Sequence, residues 1–278
     1  MKVVPGSVNL EDLRKIFVND LPVKLCSSSK PAIDRTAALV KQSSSKPTAI
    51  YGINTGFGKL ATKKISFQDI EKLQKNLILS HCSGVGPAIS EKMVRFIMVL
   101  KLLSLGRGAS GVRWEVCQLL EDMLQKRVAP VIPAQGSVGA SGDLAPLAHM
   151  SAVMIGEGKA LFKGKLLPAR KALSLAGLAP IVLKAKEGLA LINGTQFSSA
   201  FALAGLFSGQ TAIANSIIIS AMSTDAVMGS TAPLRPEIHE LRGHHGQIKV
   251  AERMRSLMER SEIRESHRKD DKRVQDPY

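Results

Sequence analysis

A chain of 278 residues with 45% hydrophobic content is long enough to bury a core, as one large domain or two modest ones. The formal net charge of +15 raises a nucleic-acid partner, but the bases are scattered, acids offset those in "HRKDDKR" at 267–273, and no aromatics interleave with them to stack bases, so none is expected. Three distant cysteines, Cys26, Cys82 and Cys117, without CxxC spacing suggest neither a zinc site nor a disulfide framework and fit a reduced, cytoplasmic setting.

Aromatics are only 4% and the apolar runs favour Leu, Ala, Ile and Met, so the composition leans helical. The opening "MKVVPGSVNLEDLRK" lacks the apolar core of a secretory signal. Turn-rich pieces follow at 26–31 and 43–48, then "TAIYGINTGFG" at 48–58, which begins as a short strand and becomes a glycine-rich loop. "FQDIEKLQKNLILSHC" predicts a helix with Ile70, Leu73, Leu77 and Leu79 near one face. "SEKMVRFIMVLKLLSLGRG" predicts a second, with Ser90 as its N-cap and Gly106 and Gly108 as stops. "VRWEVCQLLEDMLQKR" is a cleaner amphipathic helix ended by "VAPVIP". "LAPLAHMSAVMIGEG" predicts an apolar helix with Pro146 in its first turn, and "KALFKGKLLPA" a hairpin around Lys163-Gly164. The run from 187 to 229 is apolar on nearly every face, as befits the middle of a helical bundle. Its longest apolar piece, 211–228, carries Asn215, Asp225 and several hydroxyls, which argues for a buried helix rather than a membrane span.

The stretch "GSVGASGDLAPLAH" at 136–149 stands out. It lacks the Gly-Lys-Ser/Thr ending of a P-loop, and no strand precedes it as a dinucleotide fingerprint requires. Two readings remain: a flexible helix entry with Asp143 near the helix's positive end, or a backbone that reacts with itself. If the Gly142 nitrogen reaches the Ala140 carbonyl carbon, a five-membered ring can close, which the absence of a Cβ at Gly142 permits. Loss of water from that ring, and then of the Ser141 hydroxyl as water, leaves an exocyclic methylidene carbon. The product is an electrophile, a group that ordinary side chains lack. Spacing permits this reaction without demonstrating it.

Together with "YGINTGFG" at 51–58, "NLILSHCSGVG" at 76–86, "NGTQ" at 193–196 and "VQDPY" at 274–278, this stretch resembles the aromatic amino acid ammonia-lyases and aminomutases. "LSHCSG" and "GHHGQI" at 243–248 look most like the histidine ammonia-lyase branch. The resemblance runs from about residue 5 to the last residue. It implies that Ala140, Ser141 and Gly142 become the prosthetic group 4-methylidene-imidazol-5-one (MIO), with Asp143 assisting. It implies that Tyr51 removes the substrate β-proton, that His81, Asn193 and Gln275 contact substrate, and that Tyr278 belongs to the catalytic set. Read singly, Tyr51 would be a half-buried tyrosine, His81 a structural histidine and Asn193 a turn former. The implied reaction is elimination of ammonia from L-histidine to give urocanate, without a metal. The bland alternative is an inactive fragment that serves as an interaction partner.

The expected fold is mainly α: a small mixed α/β region, 1–110, carrying the Tyr51 loop, then 111–278, the first part of a long central helical bundle carrying the Ala-Ser-Gly motif. The resemblance further implies that relatives continue for roughly as much sequence again. That portion supplies more central helices, an arginine for the substrate carboxylate and a glutamate for the substrate ring. Relatives form homotetramers whose sites combine several subunits. The expectation is therefore a homotetramer, or a second chain supplying the C-terminal half.

Overall fold

The computed structural model describes residues 1–58 and 61–275. The fold is mainly α, and its strands are short. It divides into two compact units, Met1–Ala204 and Gly205–Tyr278.

The first unit opens with β1 (Lys2–Val3), α1 (Leu10–Val18), β2 (Lys24–Leu25) and α2 (Lys30–Ser44). A capping box starts α1: Asn9 Oδ1 accepts from the Asp12 amide at 2.9 Å, and Asp12 reaches back to the Asn9 amide. Then come α3 (Ile70–His81), β3 (Val85–Ala88), α4 (Glu91–Gly106), α5 (Trp114–Gln125), β4 (Ala129–Pro130) and β5 (Pro133–Gln135). α6 (Leu144–Met154), β6 (Lys159–Phe162), β7 (Lys165–Pro168), α7 (Ala169–Leu175) and α8 (Glu187–Ile192) follow, and α9 (Gln196–Ala226) begins here. β1 pairs parallel with β2, β3 antiparallel with β5, and β4, β6 and β7 form an antiparallel sheet in that order.

The core lies among α3, α4, α5, α6 and α8. α4 packs on α5, while α3 packs on both α6 and α8, which also meet each other. Leu102, Leu105, Leu120, Met123, Leu147, Met150 and Leu191 are buried there, each contributing about 1.5–3 kcal/mol by leaving water. Because α4 packs on α5, and α3 on α6 and α8, one compact unit runs through the 110/111 division drawn from the sequence.

Local signals place several elements as anticipated. Ser90 Oγ accepts from the Met93 amide at 3.3 Å and caps α4. Gly106 ends that helix against Leu25 and Pro5, where a Cβ would collide. Lys163 and Gly164, both at positive φ, turn β6 into β7 with Phe162 opposite Lys165. Pro146 sits in the first turn of α6.

Two expectations fail locally. Residues 48–51 run from a bend through irregular backbone into a turn rather than forming a strand. The buried Asn54 side chain accepts from the Ile50 amide at 2.7 Å and donates to the Thr48 carbonyl at 3.0 Å, taking up groups that a strand would use in its ladder. On α3 the buried face is Ile70, Gln74, Leu77 and Ile78, and Leu79 is exposed.

The second unit holds the rest of α9, then α10 (Pro236–Arg242), α11 (His245–Leu257) and α12 (Glu262–Ser266). α10 packs on α11. The buried His239 ring joins them, its Nδ1 meeting Gln247 Nε2 at 2.9 Å and its Nε2 the Pro233 carbonyl at 3.0 Å. α9 exposes Phe201, Leu206, Ile213, Ile218, Ile219 and Met222, the side chains that the sequence placed inside a bundle.

Candidate active site

The Ala140-Ser141-Gly142 turn sits between β5 and α6, in a segment that runs 136–143 without regular structure. Ala140 and Ser141 are exposed, whereas Asp143 is 1% exposed. The turn is held by residues 193–198, the joint between α8 and α9. Asn193 Nδ2 donates to Ser141 Oγ at 3.2 Å. The Asp143 amide donates to the Gly194 carbonyl at 2.7 Å. Gly142 has φ +91°, and a Cβ there would run into Gly194, so this position accepts only glycine.

Asp143 stands at the N-cap position of α6, but its carboxylate does not cap that helix. Oδ1 accepts from Ser137 Oγ and from Ser198 Oγ, each at 2.6 Å, and Oδ2 accepts from the Ser198 amide at 2.8 Å. The acid therefore lies at the positive end of α9, where unpaired amides favour a negative charge. These contacts fit the ring-forming triplet: a glycine with no room for a Cβ, a serine hydroxyl that receives a hydrogen bond, and an adjacent carboxylate held by three donors.

The other expected residues are positioned by nearby elements. Tyr51 is 57% exposed and meets Phe57 edge-on at 5.8 Å between ring centroids. Its neighbour Gly52, at φ +76°, lies against the Leu189 side chain of α8, where a Cβ would collide. The Tyr51 loop thus lies against the short helix whose C-terminus carries Asn193. His81 is the last residue of α3, and its Nδ1 lies 2.8 Å from the Leu77 carbonyl. Ser80 Oγ lies 3.2 Å from the same nitrogen, so Nδ1 is engaged by its own helix and Nε2 is the ring nitrogen turned away from these contacts. Beyond it, the Gly84 amide donates to His149 Nε2 of α6 at 3.1 Å, and burial lowers the His149 pKa. Gly84 also lies against Gly136, so the His81 segment borders the start of the motif.

Gln275 belongs to the second unit, where it lines a cavity of about 330 Å³ with Arg264, His267 and Arg273. Tyr278 lies outside the described residues. Among the described residues, no group of three or more His, Cys, Asp or Glu side chains could hold a metal ion.

Sequence reasoning missed four supporting residues. Ser137 lies inside the quoted glycine-rich stretch and Ser198 in the first turn of α9, where a serine beside a buried acid is a natural donor. Gln74, fully buried on α3, accepts from the Gly188 amide at 2.9 Å and ties α3 to α8. Lys101 of α4 donates to the Asn193 carbonyl at 3.3 Å.

The sequence model described as aromatic amino acid lyase matches residues 8–278. Among solved structures, ergothionase from Treponema denticola superposes with a TM-score of 0.90 at 27% identity, covering 100% of this chain and 55% of that one. Phenylalanine aminomutase from Pantoea agglomerans superposes with a TM-score of 0.89 at 28% identity, covering 95% and 51%. Histidine ammonia-lyase from Trypanosoma cruzi superposes with a TM-score of 0.85 at 34% identity, covering 92% and 50%. The chain spans about half the length of these structures.

Proposed function

The chain belongs to the aromatic amino acid lyase family, and from that premise we propose that it provides the N-terminal half of a histidine ammonia-lyase site, which eliminates ammonia from L-histidine to give urocanate. The observation that carries this reading is the grip of residues 193–198 on the Ala140-Ser141-Gly142 turn and Asp143. The MIO group built from that triplet supplies an electrophile that makes the substrate amine a better leaving group. Asn193 polarises the Ser141 hydroxyl, the one lost as water when the triplet matures. Asp143, locked by Ser137 and Ser198, holds its carboxyl group beside the turn.

Tyr51 takes the substrate β-proton at its phenolic oxygen. His81 offers Nε2 to the substrate, and Gln275 and Tyr278 complete the contacts from the C-terminal motif. The exposed apolar face of α9 is covered by other helices, those of a homotetramer or of a second chain that brings the carboxylate-binding arginine and a ring-contacting glutamate. By length and composition alone, Glu187–Ala226 could cross a membrane, with a window of mean hydropathy 1.4. Asn215, Asp225 and several hydroxyls interrupt its apolar run, which favours a bundle interior in a cytoplasmic protein.

The histidine branch is supported by "LSHCSG", "GHHGQI" and the 34% identity to the trypanosomal enzyme. A second reading, another aromatic amino acid lyase or aminomutase, is favoured by the similar match to phenylalanine aminomutase. A third, an inactive interaction partner, draws on the uncovered face of α9.

Two measurements separate these. Intact mass is expected two waters below the translated value, with the loss mapped to Ala140–Gly142. Turnover is then assayed for urocanate, cinnamate and coumarate, with the chain alone and with a polypeptide carrying the C-terminal half. Urocanate alone supports the histidine branch, and cinnamate or coumarate the second reading. A matured chain inactive under both conditions supports the third.

A further inference from the structure

Lys101 is 1% exposed, on the face of α4 turned into the core. Among the described residues no carboxylate pairs with it, and burial lowers its pKa to about 7. Arg95, on the same helix and 4% exposed, is the contrast: its Nε donates to Asp20 Oδ1 at 2.8 Å. A buried amine without a counter-ion works against stability, and a methionine would fill the same space without that penalty. Stability therefore gives no reason for a lysine here, whereas its one hydrogen bond does.

That bond runs from Nζ to the carbonyl of Asn193, the residue that closes α8. A helix C-terminus presents unpaired carbonyls that favour a cationic donor. The side chain of the same Asn193 donates to Ser141 Oγ, the next residue accepts from the Asp143 amide, and Ser198 follows with its two bonds to the Asp143 carboxylate. Every contact that the joint makes with the ring-forming turn lies within five residues of the carbonyl that Lys101 holds.

We propose that Lys101 is a positioning residue for the Ala140-Ser141-Gly142 site: it pins the backbone of the α8–α9 joint from the α4 side, so that the Asn193 carboxamide meets the Ser141 hydroxyl. The inference rests on the reading in which this triplet matures into the prosthetic group. It assigns Lys101 no contact with substrate.

The test uses the whole 278-residue chain as wild type, Lys101→Met and Lys101→Arg. Three quantities are followed: thermal stability, the rate at which intact mass falls by two waters, and amide exchange across residues 193–198. The methionine variant is expected to fold with a melting temperature at or above wild type, yet to mature roughly ten- to a hundredfold more slowly. Its amides at 193–198 should exchange faster while those of α5 and α6 do not change. The arginine variant keeps an N–H donor and should recover most of the rate. Should Lys101→Met fail to fold, Lys101→Leu, which likewise lacks a donor, takes its place in the same comparison. Equal maturation rates in wild type and the folded, uncharged variant overturn the proposal. A wild-type chain that never loses water overturns both it and the reading beneath it, whereas loss that ignores position 101 removes only the role of Lys101.

Discussion

Asp143 is defined by what it accepts. It begins α6, yet its carboxylate faces Ser137 and the first turn of α9. Asp143→Asn preserves the shape but turns one acceptor oxygen into a donor that faces other donors, costing about 1–3 kcal/mol. Urea unfolding should register that loss, and the intact mass should stay at the translated value. Gly142→Ala forces a methyl group into Gly194 at a backbone angle that side chains avoid; it should cost at least about 1–3 kcal/mol and block maturation. Lys101 makes a prediction with the opposite sign. Its folded pKa, lowered to about 7 from 10.5, means that the unfolded chain holds a proton that the folded chain releases between those values. Its penalty is therefore full below pH 7 and fades as pH rises toward 10.5. Lys101→Met should be more stable than wild type by about 1–4 kcal/mol at pH 7, and denaturation across the pH range should show the gap closing under alkaline conditions.

At the scale of elements, α8 is a short helix that carries much of the site. Its Glu187, 1% exposed, accepts from Arg113 Nε and Nη2, each at 2.8 Å, and from the Lys184 amide at 2.7 Å. Hydrogen bonding to Glu187 raises the Arg113 pKa. Glu187→Ala strips the helix start of these bonds and should lower stability by about 3 kcal/mol, with exchange rising at 187–198 before the rest of the core. Elements such as α4, the Lys163-Gly164 hairpin and the Pro146 turn were legible in the sequence because each is specified by residues a few positions apart. The Ala-Ser-Gly-Asp motif stands out in the sequence for the same reason. What holds it does not: Ser198 is 55 residues from Asp143, Lys101 is 92 from Asn193, and Gln74 is 114 from Gly188. A buried glutamine reads as a surface residue until the amide that it serves is known. The strand expected at 48–51 gave way because Asn54, a turn former by type, works from inside the loop.

At the scale of the molecule, α9 leaves Phe201, Leu206, Ile213, Ile218, Ile219 and Met222 exposed, an apolar side that a partner surface would cover. Ile213→Glu and Ile219→Glu alter residues that are each 61% exposed, so each should change the stability of the isolated chain by no more than about 0.5 kcal/mol. Sedimentation should nonetheless show smaller species than wild type, because the proposed assembly buries that side. The Asp143 clamp also bears on timing. Its donors lie on both sides of the triplet, and the distant one stands in the first turn of α9. If the triplet matures as proposed, the turn must therefore wait during synthesis until the chain has passed residue 198 and folded back. On that reading a nascent or misfolded chain would carry only an inert Ala-Ser-Gly, and the proposed electrophile would not be armed where it would attack the amines and thiols of its surroundings. The proposed maturation would then double as a certificate of correct folding, readable by mass on each molecule.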